Sequence, residues 1–374
     1  MRYTIIGIVI FCGVLILSAC RDEDNGISSD HGDLSHIAFD PQPYDLEIPP
    51  GWPQMEIPED NPLTYDGVQL GRRLFFDPVL SVDSSVSCAT CHIPEKGFSD
   101  NNPVAIGVGG ALGDRKTMTL LNVGFNNNGL LWDGAVQTLE EQSLHPIQDP
   151  REMNASLDEV IERLQNHSDY QKRFRKAFGI KHTEEITSDL LAKALAQFQR
   201  IIIAGGNSIF ERAMRGEIAF SDAQWNGFEY FFDANLLTLD AECAHCHMSP
   251  LFTINEYLNN GITEVERLVD HPDIGRGAVT GRLSDYGKFR TNTLYNWELR
   301  NHFMHDGRFE TMDDVLDHYI SGGHRPSDPD EDNVDLLIYP LNVSETERYE
   351  LMEFLKTLTD TTFLDNPDLQ NPFE

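Results

Sequence analysis

Two short runs hold the residues with the most chemistry, Cys88-Ala89-Thr90-Cys91-His92 and Cys243-Ala244-His245-Cys246-His247. Thiols at this spacing sit about one helical turn apart, where they can form thioethers with the two vinyl groups of a porphyrin. The residue that follows then turns its imidazole toward the iron. The rival use of two cysteine pairs is a zinc site. Zinc needs four thiolates to converge and gives no reason for a histidine directly after each pair. The motifs predict two covalently bound c-type haems, with His92 and His247 as proximal ligands.

Cysteine use fits this. Of six cysteines, Cys12 lies in an N-terminal leader and Cys20 ends the run Leu17-Ser18-Ala19-Cys20, so none outside the two motifs is left for a structural disulfide. Basic Arg2, an apolar stretch over 5–17 and the small residues before Cys20 have the form of a bacterial lipoprotein signal. The expectation is a signal peptide over 1–19, lipidation of Cys20 and export to the periplasmic side of a bacterial membrane. Acyl chains alone would hold the protein there, since no other stretch is long and apolar enough to span a bilayer. The formal charge, 28 − 61 = −33 over 374 residues, excludes nucleic acid as a partner and admits a basic protein.

The elements that must position these residues are mostly helical. Residues 20–60 are acidic and proline-rich, the composition of a flexible tether. Capping boxes at Ser156 with Glu159, Ser221 with Gln224 and Ser344 with Glu347 open apolar stripes at helical spacing, and another stripe starts near Ser188. No sustained alternation predicts a sheet. Gly71-Arg72-Arg73-Leu74-Phe75-Phe76-Asp77 precedes the first motif, and Gly227-Phe228-Glu229-Tyr230-Phe231-Phe232-Asp233 precedes the second at nearly the same distance. Two copies of one helical unit account for the repeat. The expected fold is mainly α, with two haem-bearing domains over 61–205 and 206–374 and long ordered loops. The last residues are expected to pack back on the first domain.

With both motifs in view, the chain resembles the bacterial di-haem cytochrome c peroxidase superfamily, which includes MauG. The resemblance runs from about Asn61 to the C-terminus. It rests on Phe98-Ser99-Asp100, Leu131-Trp132-Asp133-Gly134, Leu139-Glu140-Glu141-Gln142, Pro146, Arg151-Glu152-Met153 and Phe303-Met304-His305-Asp306-Gly307-Arg308-Phe309. It implies two cytochrome-c-like haem domains, in which the N-terminal haem reacts with hydrogen peroxide and the C-terminal haem stores or relays electrons. Trp132 matches the tryptophan between the haems and Glu152 the distal carboxylate that moves a proton between peroxide oxygens. Gln142 matches a distal amide, Pro146 a wall residue and His305 a histidine near the second haem.

Three departures alter what the resemblance implies. Many relatives carry a blocking histidine in the loop after the first motif; the stretch 101–116 has none, which predicts an open reactive site unless Met118 or another side chain fills it. The peroxidases place a methionine fourteen residues after the position of His305, where this chain has Tyr319, as MauG-like members do. A phenolate stabilises oxidised iron where a thioether favours the reduced state; Met304 and Met312 are the rival ligands. The family's calcium site uses an asparagine after the arginine matching Arg115. Lys116 stands there, with Arg300 and His302 in the other contributing segment, so calcium is expected to be absent or replaced by side-chain charge. The expected activity is reduction of hydrogen peroxide to water with electrons from a small redox protein, a cytochrome c or a cupredoxin. The alternative is a MauG-like oxidation of residues on a partner protein. A non-enzymatic di-haem carrier gives no role to Glu152 or Gln142. Family members are often homodimers, although no interface is legible here.

Overall fold

Thr64 starts the first long helix by accepting the Gly67 N–H on its hydroxyl at 3.1 Å, and the helix ends at the Phe-Phe-Asp sequence seen in the repeat. In the computed structural model, which describes residues 32–232, 241 and 243–374, eleven α-helices are found among the described residues. They are α1 (Tyr65–Phe76), α2 (Cys88–Cys91), α3 (Leu139–Gln148), α4 (Leu157–Gln165), α5 (Ser168–Phe178), α6 (Ser188–Arg200), α7 (Ile209–Met214), α8 (Asp222–Phe232), α9 (Gly277–Thr280), α10 (Met312–Ser321) and α11 (Glu345–Lys356). A two-residue antiparallel pair, β1 (Tyr257–Leu258) with β2 (Phe289–Arg290), is the only sheet among the described residues. The mainly helical class therefore holds. No described helix is long and apolar enough to cross a membrane. The leader, Cys20 and Asp233 at the end of the repeat lie outside the described residues.

The repeat acquires a physical reason. A Cβ on Gly71 would collide with the Ala194 carbonyl in α6, and one on Gly227 with the Glu350 carbonyl in α11. Glycine thus lets α1 lie against α6, and α8 against α11, backbone to backbone. The buried apolar residues form two clusters. One runs from Leu34 to Ala204 and takes in Phe363 and Leu369; the other runs from Phe210 to Leu358 and takes in Trp52, Met55 and Phe125.

Two local expectations need correction. Residues 32–60 do not behave as a tether. Leu34 is buried and its N–H donates to the Lys181 carbonyl at 2.8 Å, Tyr44 donates to Asp368 at 2.8 Å, and Trp52 packs on Phe125 and Tyr295. Average composition hid a few well-spaced apolar anchors, each worth about 1.5–3 kcal/mol when buried. At Ser156 the helix starts as expected, but the serine side chain makes no cap hydrogen bond.

Candidate functional site

Each cysteine motif is followed by the same local device. In the first, α2 carries Cys88 and Cys91, and His92 follows as its cap. His92 Nδ1 lies 2.9 Å from the carbonyl oxygen of Phe98, and His247 Nδ1 lies 3.1 Å from that of Phe252. Both phenylalanines adopt φ of 51°, a left-handed conformation costing roughly 1–3 kcal/mol that aims the carbonyl at the ring. Donation from Nδ1 leaves Nε2 as the free lone pair of each imidazole. Burial holds His92 below its ordinary value and takes His247 down to about 4, so both rings stay neutral and ready to ligate. Burial, with the neighbouring thiol adding to it, pushes Cys88 and Cys243 up to about 12. Among the described residues no group of three or more His, Cys, Asp or Glu side chains gathers to hold a metal ion. The two pairs sit against different cores, which removes the four-thiolate zinc alternative.

Two cavities adjoin these motifs. The first, about 1020 Å³, is walled by Cys91, His92, Gln142, Pro146 and Glu152. The second, about 240 Å³, is walled by Cys243, Cys246, His247, Arg300, Met304 and Tyr319. Each contains a buried polar atom without a partner among the described residues, Gln142 Oε1 in the first and Arg300 Nε in the second. Burial lowers the Arg300 guanidinium to about 10. An unpaired buried cation and an unmatched buried amide are costly unless something else completes them. A porphyrin with anionic propionates fits this donor set: two thiols, one prepared imidazole and, at the second site, a waiting cation.

In the first cavity, α3 supplies Gln142 and Pro146, and the turn after it supplies Glu152. Burial, reinforced by Asp149 and opposed by Arg151, lifts the Glu152 carboxyl from 4.5 to about 7. The stretch 101–116 is pinned against this residue. The Val108 N–H donates to the Glu152 carbonyl at 2.8 Å, a Cβ on Gly107 would strike that same backbone, and Arg151 pairs with Asp114. Met118 lines both cavities.

Trp132 and His305 also line both cavities. Their rings meet edge to face, with centroids 6.4 Å apart, and His305 stacks on Phe289 at 3.6 Å. Around them the halves exchange backbone hydrogen bonds: the Lys116 N–H donates to the His305 carbonyl at 2.7 Å and the Arg290 N–H to the Trp132 carbonyl at 2.8 Å. The Trp132 indole N–H also donates to the Lys116 carbonyl at 2.8 Å. The Lys116 ammonium is buried against the Asp100 carboxylate and donates to the Asp100 carbonyl at 2.7 Å. Lys116, which stands in the asparagine's place, thus has its charge paired inside the protein. Sequence reasoning did not single out Arg290 or Asn260. Arg290 is buried and ties Leu131, Asn128 and Asn255 together. Asn260 donates to the Tyr319 hydroxyl at 3.2 Å and lies 3.5 Å from Met304 Sδ. Burial raises the Tyr319 phenol to about 12. Met312 lines the same cavity.

The comparisons agree with this geometry. Residues 65–219 match the family described as di-haem cytochrome c peroxidase. Methylamine utilization protein MauG of Methylorubrum extorquens is 38% identical over 304 residues, covering 80% of each chain. Cytochrome c551 peroxidase of Nitrosomonas europaea is 30% identical, covering 86% of each. The crystal structure of a MauG-like protein associated with microbial copper homeostasis superposes with a TM-score of 0.79 at 30% identity, covering 88% of this chain and all of that one. The chain belongs to the di-haem cytochrome c peroxidase family.

Proposed function

We propose that this protein reduces hydrogen peroxide to water, drawing two electrons and two protons per peroxide from outside. In this reading Cys88 and Cys91 would hold one haem covalently and Cys243 and Cys246 the other, with His92 and His247 offering their Nε2 to the irons. The haem on the first motif supplies the iron whose redox chemistry matches O–O cleavage. Glu152 in its carboxylate form takes the proton from one peroxide oxygen and returns it to the other, which leaves as water. The Gln142 amide, unpartnered and facing the same cavity, orients the peroxide. His92 is held neutral and aligned by the Phe98 carbonyl. The pinned 101–116 stretch keeps the distal side open with no rearrangement. Trp132 and His305, bordering both cavities, form the path between them.

The observation that carries this reading is Glu152, a carboxyl poised at about 7 on the wall of the cavity that receives His92. Steady-state oxidation of a reduced cytochrome c or cupredoxin by peroxide tests it. Tyr319 favours a second reading, in which the second site shares oxidising equivalents and the protein oxidises residues of a partner protein. Negligible cytochrome turnover together with a long-lived near-infrared band after peroxide would select that reading. We further propose that the two cores correspond to two haem domains meeting near residues 204–208. The leader is proposed to direct export, with Cys20 lipidated on the periplasmic side of a bacterial membrane.

A further inference from the structure

Aligning the repeat on Gly71 and Gly227 places Gln69, Arg72 and Phe76 of α1 opposite Trp225, Phe228 and Phe232 of α8. The helical unit therefore packs without aromatics at two of these three places. In α8 they form a continuous ladder. The Trp225 ring stacks on Phe228 with centroids 5.4 Å apart and planes at 21°. Phe228 meets Phe232 at 4.8 Å, and Phe232 meets Phe252 at 6.2 Å. The Phe252 carbonyl is the group that receives His247 Nδ1. At the outer end Trp225 is 48% exposed, and its indole N–H donates to Glu229 Oε1 at 3.0 Å. Packing explains the inner rings. It leaves unexplained an exposed tryptophan at the end of the line with its indole N–H already hydrogen-bonded to a carboxylate.

We propose that Trp225 is the port through which a reductant delivers electrons to the second site. This rests on the peroxide chemistry proposed above, which supplies the oxidant. Trp225 gives up one electron along Phe228, Phe232 and Phe252 toward the His247 site, and its N–H proton passes to Glu229. A one-electron donor then reduces the indolyl radical, and Glu229 returns the proton. Two such cycles balance one hydrogen peroxide, and Trp225 ends unchanged. The donor is a cationic redox protein, because the chain carries a formal charge of −33 and exposed Asp222 flanks Trp225 in a shallow cleft that also includes exposed Met214. The apolar centre offers an anchor and the chain's net negative charge steers a basic partner.

The test mixes wild-type, Trp225→Phe and Glu229→Gln holoproteins with peroxide, with and without a reduced basic cytochrome c. Trp225→Phe is expected to slow cytochrome oxidation about tenfold, the effect of losing one anchor residue. Glu229→Gln keeps every ring of the ladder and is expected to slow it as well, which guards against a folding defect in the first variant. Without cytochrome, peptide mass spectrometry of the wild type should find the oxidation product on Trp225. Cytochrome oxidation at the wild-type rate in both variants, or oxidation elsewhere with Trp225 intact, overturns the port. A wild-type protein whose haem absorption ignores peroxide overturns the peroxidase reading itself, and the port with it.

Discussion

Replacing Glu152 by Gln isolates the proton-transfer step because the substitution keeps size and hydrogen-bonding shape while removing the titration. With its carboxyl at about 7, Glu152 is half ionised near neutral pH, so the rate of reaction with peroxide should rise with pH and level off above about 7 as the carboxylate forms. Loss of a positioned acid–base group costs about 10²- to 10⁴-fold, and Glu152→Gln should lose that much and become insensitive to pH across this window. Stability supplies an independent readout. The unfolded carboxyl ionises near 4.5 and the folded one near 7, so the folded state holds the proton more tightly. The wild type therefore loses stability as pH rises between these values, by roughly 3 kcal/mol in full. Glu152→Gln escapes this loss: it should melt higher than the wild type above pH 7 and not gain below pH 4.5. The assay is stopped-flow haem absorbance after mixing with peroxide, with both haems counted by pyridine haemochrome. A variant with two haems and an undiminished, still pH-dependent rate would refute the assignment.

Tyr319→Met should raise the reduction potential of the second haem, within the roughly 0.8 V that axial ligands command; a reductive titration that finds no rise would remove Tyr319 from the ligand set. Chelation with EDTA should leave both the melting temperature and the peroxide reaction unchanged, because Lys116 puts a buried, paired charge where the asparagine would stand, and a calcium-restorable loss would contradict this. Lys116→Met should destabilise by about 3–5 kcal/mol in denaturant titrations, since it leaves Asp100 buried without its counter-charge; a midpoint near the wild type would show that Asp100 is satisfied without it. Gly227→Ala should cost about 1–3 kcal/mol through overpacking of α8 on α11, and an unchanged melting temperature would show that the Glu350 carbonyl yields freely.

The haem motifs, the helical class and the repeated Gly-to-Phe-Phe-Asp helix were legible because each is a local pattern with one physical reading. The prepared imidazoles were only half legible: His92 and His247 follow from spacing, but the left-handed Phe98 and Phe252 that orient them leave no compositional trace, since neither is glycine. Leu131-Trp132-Asp133-Gly134 and Met304-His305-Asp306-Gly307 are a second repeat in plain view. Leu131 and Met304 share positive φ, as do Gly134 and Gly307, so Trp132 and His305 hold equivalent places. Comparing the two halves position by position would have found it. Arg290 was out of reach, because its partners come from segments far apart in sequence, and so was the burial of Lys116, which a lysine in a polar stretch does not suggest.

The crosswise joint lets one duplicated unit carry two differently lined cavities. Each half donates a backbone N–H, from Lys116 or Arg290, to the carbonyl of the other half's bridging residue. Neither Trp132 nor His305 can shift without breaking a hydrogen bond to the opposite half, and each such bond left unmade in a buried place costs about 1–3 kcal/mol. The separation and orientation of the cavities are thereby fixed by main chain, which side-chain substitution does not touch. The outer walls are under no such constraint. The first has Gln142 and Glu152, the second Met304 and Tyr319, and neither set takes part in the crosswise bonds. Those walls are free to diverge, because a change of ligand or proton donor there alters one site and leaves the main-chain bonds between the two in place.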